Sequence, residues 1–207
     1  MSSVYGMLFA ALYDAAFMRA ERKGLRAMRQ ELLSQCTGSV LELGAGTGLN
    51  VGYYDAGLAR LVLTEPEPHM AAKLRAAVTR ARIAAEVIEA PAESLPFPDA
   101  SFDTVVSTLV LCTVPAPDVV MREVRRVLKP GGRFLFIEHV RSDSPRLAGW
   151  QDRLRRLWSL LACGCQCNRN TLETIQRGLL TDQVRHDRLI GLTPLLRPLV
   201  RGQARAA

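Results

Sequence analysis

Short apolar stretches of strand length alternate with longer amphipathic stretches along the first two thirds of the chain. Five of them, bounded by turn residues, predict buried strands at Val40–Leu43, Leu61–Thr64, Ala84–Ile88, Phe102–Ser107 and Phe134–Ile137. Between them, apolar residues at helical spacing predict helices at Pro68–Arg80 and Asp118–Leu128. This alternation predicts an α/β fold, a doubly wound and mostly parallel sheet with helices on both faces.

Two weaker patterns near the C-terminus, at Gln183–Ile190 and Leu199–Arg205, predict further strands and bring the expected sheet to seven. No repeat, low-complexity tract or linker interrupts the sequence, and 207 residues suffice for a single domain with a sizeable core. Ligands of such sheets bind beyond the carboxyl ends of the parallel strands. We therefore expect the functional residues directly after each strand.

Charge narrows the range of partners only slightly. Arginine carries most of the formal charge of +7 and is concentrated in the C-terminal third. A basic surface attracts nucleic acid, anionic lipid or acidic substrates, but no nucleic-acid-binding motif with interleaved aromatic residues accompanies it. We interpret it as a solvated face, expect no nucleic-acid partner and leave peripheral membrane contact open.

Localisation is predicted from what the sequence lacks. No apolar run approaches the ~20 residues that span a bilayer, and the first residues lack the basic region and cleavage site of a secretory signal. The five cysteines, an odd number, do not suggest a disulfide framework. Together these features predict a cytoplasmic protein.

The first predicted strand leads into a loop with three glycines at alternate positions, Glu42-Leu43-Gly44-Ala45-Gly46-Thr47-Gly48. Glycines let the backbone turn sharply and let a ligand lie against bare peptide groups, beside the positive end of a helix. A dinucleotide-binding G-x-G-x-x-G would need glycine where Leu49 stands, and a P-loop would need a Gly-Lys-Ser/Thr that is absent here. The acid before the first glycine suits a ligand that carries an ammonium group.

Four ordered signatures between residues 40 and 140 resemble the class I S-adenosylmethionine (SAM) methyltransferases. They are ELGAGTG, an acid (Glu65) after the second strand, AESLPFPDASFD and RVLKPGGRFLF. A narrower resemblance, to the thiol methyltransferase-like group (methyltransferase-like proteins 7 and their bacterial relatives), rests on TLVLCTV, EHV, Asn50 and the tail residues Trp150, Gln151, Trp158, Gly164, Cys165, Asn168 and Arg169. The resemblance implies a SAM-dependent methyltransferase with the Rossmann-like fold of this class.

The resemblance also implies which residues hold SAM. Glu65 would accept the ribose hydroxyls, and Ala92 with Glu93 would lie beside the adenine. Many relatives have an aspartate where Pro91 stands here, so adenine recognition would rely on the Ala92 amide and on Glu93. The expected cofactor-binding residues are Tyr13, Glu42, Gly44, Gly46, Gly48, Asn50, Glu65, Pro66, Ala92, Glu93, Thr108 and Leu109, the last two beside the methionine part of SAM.

Methyl transfer from a sulfonium mainly requires that two reactants are aligned and water is excluded, so a nucleophilic dyad is not needed. His139, which follows the fifth strand, is the candidate catalytic residue; the alternative is a histidine whose polar atoms bond the backbone at a strand end. From the resemblance alone, the favoured acceptor is a small hydrophobic thiol. A phospholipid amine, a quinone-type ring and a non-catalytic SAM-binding role remain alternatives.

Four aromatic residues at four-residue spacing predict an N-terminal helix with one apolar face: Tyr5, Phe9, Tyr13 and Phe17. That face could pack in the core, cover the cofactor as a lid, or do both. We therefore divide the single domain into a helical lid at 1–35, a SAM-binding core at 36–140, and substrate-side helices with the last strands at 141–207.

Two patterns in the C-terminal part remain. Apolar residues from Leu147 to Leu161 share one face, which predicts a helix over the substrate side; arginines flank this face, so an interfacial membrane helix is the alternative. The cysteines at 163, 165 and 167 lack a nearby fourth ligand, so we expect no metal. Cys165 and Cys112 could instead line the acceptor pocket.

Overall fold

The computed structural model describes residues 17–162 and 164–206, and for Leu161 the backbone alone. Its strands are β1 (Ser39–Leu43), β2 (Arg60–Thr64), β3 (Glu86–Ile88), β4 (Phe102–Thr108), β5 (Leu128–His139), β6 (Leu180–Arg188) and β7 (Pro198–Arg205). They form one sheet in the order β3-β2-β1-β4-β5-β7-β6. Strands β1 to β5 pair in parallel, and β7 runs antiparallel to both β5 and β6. The predicted fold class, a single domain around a mostly parallel seven-stranded sheet, is confirmed.

Helices lie on both faces of this sheet. The α-helices among the described residues are α1 (Arg26–Leu33), α2 (Pro68–Ala81), α3 (Pro117–Val127), α4 (Pro145–Leu161) and α5 (Thr171–Gly178). A π-helical turn, Glu21–Leu25, leads into α1, and single 3₁₀ turns occur at Val51–Tyr53 and Pro194–Leu196. Helix α2 begins where the Glu67 side chain accepts the Met70 amide, with Pro68 in the first turn.

Alternate residues of the strands pack in two apolar layers, one on each face. Leu41, Val105 and Phe136 belong to the layer that includes residues of α3 and α5, such as Met121 and Ile175. The neighbouring strand positions face the other layer, whose helical members come from α1 and α2. Because both faces are covered there, the central strands β1, β2 and β4 are largely apolar, as the sequence displays, whereas the edge strand β6 is mostly polar and exposed.

Several predicted boundaries differ from the structure; β6, for example, spans Leu180–Arg188 and not the predicted Gln183–Ile190. The helix expected to reach Leu128 ends at Val127, and Leu128 already pairs with Phe102 as the first residue of β5. The Pro-Gly-Gly turn then forms an irregularity inside this strand, with Gly131 at φ 75°, before pairing resumes at Arg133. At the sheet edge, β3 begins only at Glu86, so it is shorter than the predicted Ala84–Ile88.

The apolar stripe predicted for helix α4 is only partly covered by the rest of the domain. Trp150 and Leu157, both in the predicted stripe, are 54% and 56% exposed. The side facing the domain carries Ala148 and Gln151 and, of the predicted stripe, Trp158. Gln151 fixes this orientation because its amide group donates to the carbonyls of Cys167 and Leu195 and accepts the Ser142 amide.

The predicted N-terminal lid falls largely on residues that the structure does not describe. Tyr5, Phe9 and Tyr13 lie outside the described ranges, whereas Phe17 packs against the layer formed with α1 and α2. Within residues 17–162 and 164–206, no helix combines the length and the apolar character that crossing a bilayer would require.

Candidate functional site

The loop after β1 adopts a backbone that favours glycine at three places. Gly44, Gly46 and Gly48 have φ values of 52°, 59° and 88°. A Cβ at Gly44 would lie 3.0 Å from the Val110 methyl groups, and one at Gly48 would lie 2.8 Å from the Ala77 Cβ. A Cβ at Gly46 would meet nothing closer than the Gly44 carbonyl oxygen at 4.0 Å. The outer glycines are therefore required by packing inside the protein, whereas Gly46 borders open space.

Glu65, directly after β2, joins this loop to the neighbouring one. Its carboxylate accepts the Gly46 amide at 2.9 Å and the Glu67 amide at 3.0 Å. The side chain is buried, and burial raises its pKa although both backbone hydrogen bonds oppose the shift. The carboxylate oxygens have capacity for further donors, as two ribose hydroxyls would supply. Pro66 follows on the surface.

Glu42, at the end of β1, belongs to a buried polar network beneath the glycine loop. It accepts hydrogen bonds from Asn50 Nδ2 at 2.7 Å and from the Tyr54 hydroxyl at 2.7 Å. The Asn50 amide also donates to Thr108 Oγ1 at 3.0 Å, at the end of β4. Burial raises the Glu42 pKa, and the hydrogen bonds from Tyr54 and Asn50 oppose this. The network brings together three residues predicted separately from the sequence.

Arg29, on α1, completes this network and was missed in the sequence. Its guanidinium donates to Asn50 Oδ1 at 2.9 Å and to Thr108 Oγ1 at 3.1 Å, and pairs with Glu21 at 3.0 Å. Arg29 and Glu21 are both buried. The available signal was the position of Arg29 four residues after Leu25, among the apolar residues of one helical face. Arg29 therefore fixes the orientation of two side chains, Thr108 at the end of β4 and Asn50 in the loop after β1.

The third predicted loop lies beside the start of α3. Ala92 is buried, and the Glu93 carboxylate accepts the Ala116 amide at 3.4 Å. Glu93 therefore faces the N-terminus of this helix, where a carboxylate is stabilised. Pro91 is exposed. The adenine-binding role of Ala92 and Glu93 stays a prediction.

The turn after β4 is held by another buried acid, Glu138. Its carboxylate accepts the Ser107 hydroxyl at 2.6 Å and the amides of Val110 and Leu111, each at 3.1 Å. Burial raises the Glu138 pKa to about 7. Leu109, within this turn, has the left-handed φ of 62°, which a leucine adopts only under constraint. Glu138 lies in the EHV segment, whose pattern alone does not indicate this role.

His139 is buried where β5 pairs with β7. Its backbone carbonyl accepts the Thr171 hydroxyl at 2.8 Å, and its Nδ1 atom has no hydrogen-bond partner among the described residues. Burial lowers the His139 pKa to about 4, so the imidazole is neutral at neutral pH. A neutral imidazole can accept a proton, but an acceptor reaches it only if the covering residues move. Its catalytic role stays a prediction.

Three of the cysteines gather in a small apolar cluster beyond the carboxyl ends of β4 and β5. Cys112, Cys165 and Cys167 are buried and pack with Leu196 and Trp158. Cys163 lies outside the described residues. In the part of the chain that the structure describes, no group of three or more His, Cys, Asp or Glu side chains is arranged to hold a metal ion.

The chemistry around the glycine loop fits SAM. Gly46 leaves a space that a Cβ would fill, and Glu65 offers a carboxylate beside it. Two buried acids, Glu42 and Glu65, make the loop a poor phosphate site and a good one for hydroxyl and ammonium groups.

Comparison with known proteins gives consistent matches. The family model described as a methyltransferase domain matches residues 41–136. Human thiol S-methyltransferase TMT1B is 34% identical over 192 residues, which cover 87% of this chain and 76% of that protein. The phosphatidylethanolamine N-methyltransferase of Cereibacter sphaeroides is 31% identical over 153 residues, which cover 73% of this chain and 74% of that protein.

Solved structures share the fold at low identity. The [4+2]-cyclase SpnF superimposes with a TM-score of 0.71 at 18% identity, covering 87% of this chain and 79% of that one. The geranyl diphosphate C-methyltransferase of Streptomyces coelicolor gives 0.68 at 14% identity, covering 87% and 78%. The predicted enzyme class and its cofactor, SAM, are confirmed. The chain belongs to the class I SAM-dependent methyltransferases and, among them, to the thiol methyltransferase-like group.

Proposed function

We propose that this enzyme methylates the sulfur of a small hydrophobic thiol. The observation that carries the proposal is the similarity over 87% of the chain to an enzyme named a thiol S-methyltransferase. The apolar cluster of Cys112, Cys165, Cys167 and Leu196 supports it, because this cluster borders the carboxyl ends of β4 and β5 without a charged member. These side chains are buried, so a hydrophobic acceptor would gain affinity there once the covering residues give it access, whereas a charged one would lose its hydration.

In this proposal the protein acts mainly by positioning. SAM supplies an activated methyl group on a sulfonium. The glycine loop and Glu65 hold the ribose side, Ala92 and Glu93 the adenine, and Thr108 with Leu109 the methionine part. Alignment of reactants contributes roughly 7–11 kcal/mol to catalysis in well-oriented systems. Arg29 and Glu138 keep the ends of the strands rigid enough for this, because each binds two or more neighbouring backbone or side-chain groups.

The acceptor proton needs little help if the acceptor is a thiol. Thiols ionise partly near neutral pH, so a strong base is unnecessary. The proposed role of His139 is to take a proton from less acidic acceptors through Nδ1, the atom without a partner in the described residues. Tyr13 and the rest of the segment 1–35 are proposed to cover the cofactor and exclude water.

Turnover with methyl-labelled SAM tests the acceptor directly. The purified enzyme is incubated with matched panels of hydrophobic thiols, phenols and amines, and labelled products are identified by mass spectrometry. The proposal expects S-methylated thiols from the wild type and, at limiting SAM, fewer from a Gly46→Ala variant. Labelled phenols or amines with unlabelled thiols would contradict it.

A second candidate, methylation of a phospholipid amine, is favoured by the outer face of α4. Trp150, Leu157 and Leu160 are 54%, 56% and 74% exposed, and the Arg153 guanidinium lies 5.7 Å from the Trp150 ring centroid. An open cavity of about 520 Å³ is lined by Arg155, Arg156, Ser159, Leu160 and Gln166. Apolar residues beside arginines are typical of helices that lie at a membrane surface. The similarity to a phosphatidylethanolamine N-methyltransferase agrees with this candidate.

Vesicle sedimentation separates the two candidates. The double variant Leu157→Ser/Leu160→Ser is compared with Leu180→Ser, which removes a 65% exposed leucine from β6. If α4 contacts membranes, only the double variant loses binding to vesicles of phosphatidylethanolamine and phosphatidylglycerol. Methylated phosphatidylethanolamine without methylated thiol would make this candidate the function. Equal sedimentation of all three proteins would remove it.

A further inference from the structure

Cys112 and Cys165 are held in contact although 53 positions separate them in the chain. Their sulfur atoms are 3.7 Å apart, and both side chains are buried. Backbone bonds independent of the thiols fix this contact: the Gln166 amide donates to the Cys112 carbonyl at 2.7 Å. The Arg169 guanidinium binds the carbonyl of Val114 at 2.9 Å and that of Leu111. The contact between the two thiols therefore follows from the packing of two backbone segments and does not depend on the rotamers of the cysteines.

Cys165 differs from the other described cysteines: its pKa is lowered, whereas contact with Cys165 and burial raise the pKa of Cys112. Contact with the Cys112 sulfur lowers the Cys165 pKa, although burial opposes this shift. Burial raises the pKa of Cys167 to about 11 and that of Cys36 to about 12. Because thiolates are the reactive species, Cys165 is the described cysteine that an oxidant attacks first.

We propose that Cys112 and Cys165 are a redox modification site, at which a peroxide converts the two thiols into an intramolecular disulfide. The Cys165 sulfur takes one oxygen from hydrogen peroxide, giving a sulfenic acid and one water. The Cys112 sulfur then attacks it; the S–S bond forms, the S–O bond breaks, and a second water leaves. The sulfurs have to approach by about 1.7 Å from their 3.7 Å contact to reach the ~2.05 Å of a disulfide. Excess thiol reverses the step by exchange.

The bond would join two segments that border the functional site. Cys112 lies three residues after Leu109 in the turn held by Glu138, and Cys165 lies just after α4. Oxidation would therefore tie the turn after β4 to the segment that covers it. In a reducing compartment such a bond forms transiently, as is typical of redox-sensing pairs.

Peptide mapping of the full-length protein tests the proposal without an activity assay. The reduced enzyme is treated with a small excess of hydrogen peroxide, alkylated and digested with trypsin. Cys112 falls in the peptide 83–122, and Cys163, Cys165 and Cys167 fall together in 157–169. We expect these peptides joined by one disulfide, assigned to Cys165 by fragmentation and abolished by dithiothreitol. Of the five cysteines, three remain open to alkylation after unfolding.

Matched variants show whether the pair itself is responsible. Cys165→Ser and Cys112→Ser should lose the linked peptide, whereas Cys36→Ser and Cys167→Ser should keep it. The wild-type digest decides the question even if a variant fails to fold. Two unmodified thiols after peroxide, or a bond confined to the peptide 157–169, would overturn the proposal.

Discussion

Replacing Gly46 gives the sharpest test of the SAM-binding loop. Together with a control, it distinguishes the loss of space for the ligand from the strain of a left-handed backbone. At φ 59°, an alanine suffers the left-handed penalty of about 1–2 kcal/mol. The added Cβ meets no protein atom closer than 4.0 Å, so the protein itself has room for it. If SAM occupies that room, the overlap costs about 1–3 kcal/mol, which corresponds to roughly 5- to 150-fold weaker binding.

Gly131→Ala is the matched control. Gly131 has a similar φ of 75°, and a Cβ there also meets nothing within 4 Å, but it lies in the irregularity of β5. Both variants should lose a similar Tm, about 2–4 °C per kcal/mol for a chain of this size. Calorimetric titration with SAM should detect weaker binding in Gly46→Ala alone. Equal affinity of both variants and the wild type for SAM would refute the assignment of the loop around Gly46 to SAM binding.

Three further predictions concern buried polar groups. Arg29→Met leaves Glu21 buried without its partner and should lower the free energy of unfolding in urea by about 3–5 kcal/mol. Arg60→Met, which removes an exposed ion pair, should lower it by at most about 1 kcal/mol. Equal losses in the two variants would contradict this. Because burial raises the Glu138 pKa to about 7, the folded state binds more protons than the unfolded state between pH 4.5 and 7. The free energy of unfolding should therefore fall by up to about 3 kcal/mol as the pH rises through this range. A Glu138→Gln variant with the same dependence of stability on pH would contradict this. His139→Ala should slow methylation of a phenol about 100-fold or more and that of a thiol little; equal slowing would make His139 a structural residue.

The central strands were predictable because they are largely apolar and buried on both faces, whereas the polar, exposed β6 shows only a weak pattern. Continuous apolar runs such as Leu61–Thr64 leave no other interpretation in an alternating α/β pattern. The boundary at Leu128 was not predictable, since its apolar side chain continues the helical spacing of α3 while its backbone already pairs with β4. Local pattern and long-range pairing conflict there, and the pairing determines the structure.

Site residues that directly follow a strand were predictable from the sequence, whereas those that reach the site only through tertiary contacts were not. The glycine loop and Glu65 were found because position in the sheet gives them a common edge. Arg29 reaches the same edge from a helix, and only the fold brings it to Thr108. The orientation of α4 likewise depends on the bonds of Gln151 to loops that the helical pattern does not include.

A crystal structure with S-adenosylhomocysteine, the demethylated product, would test most directly that Glu65 and the loop around Gly46 bind the cofactor. We expect its ribose hydroxyls within hydrogen-bond distance of Glu65 and its chain passing over the open side of Gly46. The product bound elsewhere, with Glu65 still bonded only to the amides of Gly46 and Glu67, would contradict the account.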